Sequence, residues 1–334
     1  MDSCPEMVER CCARITPTRR RILWIPTLLG TWSINARFSA PREPCRDAVG
    51  IGSRASIVGL GVLLILTASL VGCKRTSSPP TARPQGVSCT TTESGMTIDL
   101  GKQIKLECVL IQPGEFMMGA GPTATEQANP YARGRHRVKI ARAYHVGVYE
   151  ITQRQYERIM GNAPSERSDG GKDCPVNNVN WSEAAEFCER LSTLTSMRVR
   201  LPTEAEWEYA CRAGSTTAYS FGDDANQLSG HAWYGSDGEL HPVGQKKPNA
   251  WGLYDMHGNA AEWCSDWYAR YANSSQTNPA GPGSGEYRVV RGGSALHFAD
   301  DCCSCSRHLK VPGLRDGTLG FRIVVETEAS DPSR

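Results

Sequence analysis

Between Ile104 and Ile111 the chain reads I-K-L-E-C-V-L-I, alternating and then wholly apolar, which predicts a strand closed by the turn residues Gln112-Pro113-Gly114-Glu115. Phe116-Met117-Met118-Gly119 predicts a second strand, and β-type patterning resumes over Arg135 to Ile140 and Ala143 to Ile151. In three places the period then lengthens to that of a helix. Thr152 and Gln155 make a capping-box signature ahead of Tyr156, Ile159 and Met160 on one face, with Gly161 as terminator. A second helix is predicted from Ser182, with Ala184, Phe187, Cys188 and Leu191 at helical spacing. The third opens at Pro202-Thr203, completes its box with Glu206, puts Trp207, Ala210 and Cys211 on one face and stops at Gly214. All three are short, and Gly/Pro/Asn/Asp-rich connections separate everything else.

The stretch Pro248 to Trp267, P-N-A-W-G-L-Y-D-M-H-G-N-A-A-E-W-C-S-D-W, carries neither period. Trp251, Tyr254, Trp263 and Trp267 sit there among glycines and side-chain oxygens, a mixture that fits a buried centre where rings and carbonyls converge. Asn259 and Glu262 offer oxygens beside a tight Gly-Asn turn, the donor type that a hard cation such as Ca²⁺ prefers. A turn whose polar groups satisfy one another also fits these residues.

The longest apolar run, Ile57 to Gly72, follows Arg54 and ends at Cys73. Leu70-Val71-Gly72-Cys73 resembles the bacterial lipoprotein signal, in which the cysteine is lipidated and becomes the mature N-terminus. A transmembrane helix is the competing reading, but the run is shorter than the roughly 20 residues a span needs. Residues 51–73 are therefore expected to be a lipoprotein signal peptide with Cys73 as lipid anchor. Residues 1–50, with Cys4, Cys11, Cys12 and Cys45 scattered through them, are expected to be a non-native or disordered extension, with translation starting nearer Val49. Residues 74–90, rich in Ser and Pro, read as a tether, and 91–330 as the folded domain.

Net charge is +2 over 334 residues, and residues 1–73 hold 9 Lys/Arg against 5 Asp/Glu, which leaves the remainder at −2. No nucleic-acid surface is implied. No fixed-period repeat or second domain is visible. No G-x-S-x-G elbow supports a serine hydrolase. Nine cysteines follow Cys73, an odd number that cannot all pair internally in an oxidising compartment.

Seven motifs then fall in one order: F-M-M-G (116–119), V-Y-E-I-T-Q-R-Q-Y (148–156), P-V-N-N-V-N-W (175–181), R-L-P-T-E-A-E-W-E-Y-A-C-R-A-G (200–214), G-L-Y-D-M-H-G-N-A-A-E-W (252–263), R-V-V-R-G-G-S (288–294) and G-F-R (320–322). Together they resemble the formylglycine-generating, sulfatase-modifying-factor family. The resemblance implies a single loop-rich α+β domain of the C-type-lectin-like fold, with little regular secondary structure. It also implies a structural Ca²⁺ at Asn259 and Glu262, cleft residues at Trp263 and Ser294, and arginines near the cleft at Arg307 and Arg322.

Active enzymes of that family oxidise a cysteine of an unfolded sulfatase to formylglycine with O₂ and Cu(I) held by two thiolates, a soft ion on soft ligands. The first thiolate belongs three residues after the serine of G-G-S. Here His297 stands at that point, and only Cys302 falls in register for the second. Cys302, His297, Ser294 and Trp263 are the candidate catalytic residues, and a mixed His297/Cys302 copper site is one reading of them. A disulfide is the other reading of these sulfurs, and the resemblance favours Cys211 joined to Cys302, Cys303 or Cys305. Relatives that form sulfoxides with iron add an H-x-x-x-H-x-E set, which none of the seven histidines provides. The expectation is a monomeric, lipid-anchored protein of the bacterial cell envelope that lacks the standard copper site and binds a peptide or glycan. The alternative is an active copper-dependent oxidase.

Overall fold

A computed structural model describes residues 86–165, 170–236 and 238–327. The N-terminal extension, the signal segment, Cys73 and the tether as far as residue 85 lie outside the described residues.

In chain order the strands are β1 (Ser88–Thr91), β2 (Gly95–Asp99), β3 (Lys105–Ile111), β4 (Gly114–Met118), β5 (His136–Ile140), β6 (Tyr144–Gly147), β7 (Val199–Arg200), β8 (Ala261–Trp267), β9 (Gln276–Thr277), β10 (Arg288–Arg291), β11 (Arg307–Lys310), β12 (Leu319–Gly320) and β13 (Val324–Glu326). The helices are α1 (Ala124–Ala128), α2 (Gln153–Met160), α3 (Trp181–Thr195) and α4 (Glu204–Arg212). They form a six-stranded sheet ordered β1-β2-β3-β6-β13-β7, a four-stranded sheet β11-β10-β8-β12 and a three-stranded sheet β4-β5-β9. This is the loop-rich α+β architecture anticipated above.

Capping boxes set the helix starts. Thr152 accepts from the Gln155 amide while Gln155 returns a bond to Thr152, and α2 ends on Gly161 at φ +80. Thr203 and Glu206 do the same for α4, although Ala213, at φ +47, takes the left-handed cap one residue before Gly214. The second helix starts earlier than Ser182, because Asn180 caps α3 and closes its own box with Glu183.

Two expectations need correction. β1 pairs with β2 from Ser88 onward, so the last residues assigned to the tether are already sheet. The stretch 248–267 ends in a strand, β8, at the centre of the four-stranded sheet, antiparallel to β10 and parallel to β12. No alternation marks β8, because nearly every residue in it is buried and its polar side chains point at fixed partners.

One core forms where α3 buries Ala184, Phe187 and Leu191. Phe187 stacks on Tyr156 at 5.8 Å and meets Phe321 edge-on at 5.3 Å, a burial worth about 1.5–3 kcal/mol for such a side chain. Trp207 of α4 centres a second core with Ile111, Val138, Cys264 and Val289.

Candidate functional site

β10 delivers the chain into Gly292-Gly293, both at positive φ, and so into Ser294. A Cβ on Gly293 would lie 2.6 Å from the Cys302 sulfur and 2.9 Å from the Asp301 carbonyl oxygen, so only glycine lets the two segments approach this closely. The Ser294 backbone N–H then points at the Cys302 sulfur. Ser294 Oγ lies 2.7 Å from His297 Nδ1, and the His297 ring sits 4.9 Å from that of His308 on β11. Ser294, His297, Cys302 and His308 therefore meet in one place. His308 carried no signal in the sequence beyond its position next to Arg307.

Burial sets the charge state of this cluster. The Cys302 thiol is pushed well above the usual range by desolvation and by Asp301, so it stays protonated. His308 is pushed down to about 4 by burial and by the neighbouring His297, and burial lowers His297 as well. Both rings are neutral at pH 7. Behind them His257, held at about 4 by burial, donates from Nδ1 to the Cys302 carbonyl at 2.9 Å. Its tautomer follows from the Ser220 backbone N–H, which can only donate and is 3.1 Å from Nε2.

Trp263, Ser294 and Cys302 are fully buried, and of the four candidate catalytic residues only His297 reaches solvent. The Trp263 indole N–H is spent on the Val179 carbonyl at 3.0 Å. Flanking His297, Leu296 is 55% exposed and Phe298 76% exposed, an unusual pair of bare apolar side chains.

The family described as the sulfatase-modifying factor enzyme 1-like domain matches residues 99–327. The chain belongs to this family. It is 36% identical over 189 residues to the formylglycine-generating enzyme of Streptomyces coelicolor, a match covering 50% of this chain and 58% of that enzyme's length. Among solved structures it resembles Treponema denticola variable protein 1, at 31% identity and TM-score 0.64, covering 71% of this chain and all of that one. PvdO from Pseudomonas aeruginosa follows at 27% identity and TM-score 0.62 with the same coverage.

Within this sulfatase-modifying-factor-like domain the residues do not fit two-thiolate copper. The donors that meet there are one thiol, Cys302, and the imidazoles of His297 and His308, so the second thiolate is missing. Nor do Asn259 and Glu262 offer a calcium donor set. Asn259 Oδ1 accepts from the His241 amide at 3.0 Å and its Nδ2 donates to Glu150 and to the His241 carbonyl. The Glu262 oxygens each accept from Arg322 at 2.7 Å, and one also takes the Trp207 indole N–H at 2.7 Å. The Gly-Asn turn is tied to other segments, Asn259 N–H donating to the Trp233 carbonyl at 2.8 Å, with Gly258 pressed so near that carbonyl that a Cβ there would stand 2.3 Å away.

Among the described residues the buried cysteines Cys108, Cys174, Cys188, Cys211, Cys264, Cys302, Cys303 and Cys305 stand unbridged in this structure. Cys211, expected to bridge to the 302–305 segment, does face it through the Ser304 side chain, with the Met256 carbonyl at 3.7 Å and the His257 ring also beside its sulfur and its thiol pushed up to about 12 by burial.

Arg307 and Arg322 are fixed structural groups. Arg322 adds the carbonyls of Gly147, Val148 and Tyr254 to its Glu262 pair. Arg307 pairs with Glu204 at 2.5 Å and lies over the rings of Tyr268 and Tyr271. Sequence reasoning missed the rest of that network: Arg291 on Glu208, Glu208 on Arg212, and Tyr271 on Glu204. A cavity of about 280 Å³ beside it is lined by His136, Glu204, Asp266, Tyr271 and Arg307, and another of about 390 Å³ by Arg142, Arg198 and Arg200 among others. Neither includes Ser294, His297 or Cys302.

Proposed function

We propose that this protein is a non-catalytic member of its family, a lipid-anchored protein of the bacterial cell envelope whose domain binds an extended peptide segment of another envelope protein. The observation that carries the reading is His297, bonded to Ser294 where the first copper thiolate would stand, which leaves the buried Cys302 as the single thiol in register. The family's enzymes handle an unfolded protein segment, and replacement of one thiolate by His297 need not remove such a recognition surface. Leu296 and Phe298 favour a peptide over a glycan, since an aliphatic and an aromatic side chain side by side suit apolar side chains better than hydroxyl-rich rings.

The test is incubation of the purified chain with Cu(I), reductant, air and a C-x-P-x-R peptide, followed by mass spectrometry. No aldehyde is expected. Aldehyde formation that disappears in His297→Ala or Cys302→Ser would overturn the proposal in favour of a rearranged copper oxidase. In parallel, binding to a library of extended peptides is expected to weaken at least tenfold in Phe298→Ala, since a buried phenylalanine contributes about 1.5–3 kcal/mol.

A further inference from the structure

A single 3₁₀ turn, Ala299–Cys302, leads into Cys303-Ser304-Cys305. Cys303 has extended dihedrals, φ −68 and ψ 157, and opens a turn in which Ser304 and Cys305 are the two central residues. The Cys303 and Cys305 sulfurs lie 3.2 Å apart, both fully buried. A disulfide bond measures about 2.05 Å, so the two sulfurs stand in contact without being bonded. The backbone here is fixed independently of the sulfurs. Ser306 N–H donates to the Cys303 carbonyl at 2.9 Å, Ser304 N–H donates to Ala218 at 2.7 Å, and Arg291 donates to the carbonyls of Ser304, Cys305 and Ser306. The Cys302 sulfur meets the Ser294 amide, and that of Cys211 the Met256 carbonyl and the Ser304 side chain.

We propose that Cys303 and Cys305 are the cysteines this protein joins when it folds in an oxidising compartment, closing a bridge across the 303–306 turn and leaving Cys302 and Cys211 as thiols. The oxidant is a disulfide, of which oxidised glutathione is the simplest. One cysteine loses its proton and attacks, releasing one glutathione thiol and forming a mixed disulfide. The second cysteine then displaces the remaining glutathione. Two thiols become one disulfide, and the two electrons and two protons leave on two molecules of reduced glutathione. The neighbouring Cys303 thiol and burial both raise the Cys305 pKa, so thiolate is scarce once the turn has closed and the exchange belongs to the open segment during folding. The bridge restrains the stretch that carries Cys302 and packs against Ser294.

The experiment refolds the full chain from the reduced, denatured state with oxidised glutathione, quenches in acid, alkylates and digests with trypsin. Peptide 292–307 contains all three cysteines and no internal cleavage site. It is expected to appear lighter by two hydrogens with one alkyl group, located on Cys302, and to regain three alkyl groups after dithiothreitol. Cys302→Ser keeps the two-hydrogen loss, whereas Cys303→Ser and Cys305→Ser abolish it. Three alkyl groups on the wild-type peptide after oxidative refolding would overturn the proposal. So would a bridge from this peptide to Cys211, or one that includes Cys302.

Discussion

Replacing Glu262 by glutamine separates two roles for one of the fully enclosed carboxylates of the described residues. Glu262, Arg322 and Trp207 are all fully buried, and the carboxylate takes two hydrogen bonds from Arg322 and one from Trp207, each at 2.7 Å. Glutamine keeps the volume but turns an NH₂ group toward donors and leaves the guanidinium without its counter-charge. Breaking a buried pair from one side costs about 3–5 kcal/mol. That is a large share of a total stability of about 5–15 kcal/mol. At roughly 2–4 °C per kcal/mol for a domain of this size, the melting temperature should fall by about 6–20 °C. Differential scanning calorimetry with excess calcium and with excess chelator is the assay, on wild type and Glu262→Gln. The same drop is expected in both media, because Arg322 rather than a cation neutralises the carboxylate. A wild-type melting temperature that falls on chelation, with a variant that no longer responds to calcium, would refute this reasoning and restore a metal at Asn259 and Glu262.

Gly293→Ala should destabilise by at least about 1–3 kcal/mol in urea titration, since φ is +71 and the new Cβ meets the Cys302 sulfur and the Asp301 carbonyl. Asn180→Ala should cost about 1 kcal/mol through loss of the α3 cap, measured the same way. Burial and Glu204 raise Asp266 from 3.8 to about 7, so the folded state holds that proton more tightly and its contribution is present below pH 4 and lost as pH rises through 7. Relative to Asp266→Asn, wild type should therefore lose on the order of 4 kcal/mol between pH 4 and pH 8, and a flat difference would sink the idea. His257 runs the other way: its pKa falls to about 4, so its contribution is present above pH 6.5 and lost as pH drops through 4. Stability measured against a His257→Gln variant should show that opposite slope.

The helices α2 and α4 were readable because a capping box is a local signal three residues wide. α3 was placed late because Asn180, Trp181 and Ser182 offer two possible caps, and only packing selects Asn180. β8 escaped notice for the opposite reason. A strand enclosed on both faces has no polar side to alternate with, and Glu262 and Asp266 look like surface residues until Arg322 and the Glu204 amide are seen beside them. At the candidate site, the histidine at 297 was legible from the G-G-S register alone. Its burial partners were not, since His308 and His257 reach it through the sheet and through the Cys302 carbonyl. The pairs Arg291–Glu208 and Arg307–Glu204 join residues 83 and 103 positions apart, a distance over which no sequence pattern carries.

Arg291 holds the 304–306 turn entirely by its carbonyl oxygens while Glu208 holds Arg291. Every amino acid presents the same carbonyl, so this grip does not depend on which side chains the turn carries. A peg of that kind lets the identity of the loop drift over generations while its shape stays put, and it makes this segment a natural socket for grafting new residues beside Ser294 and His297.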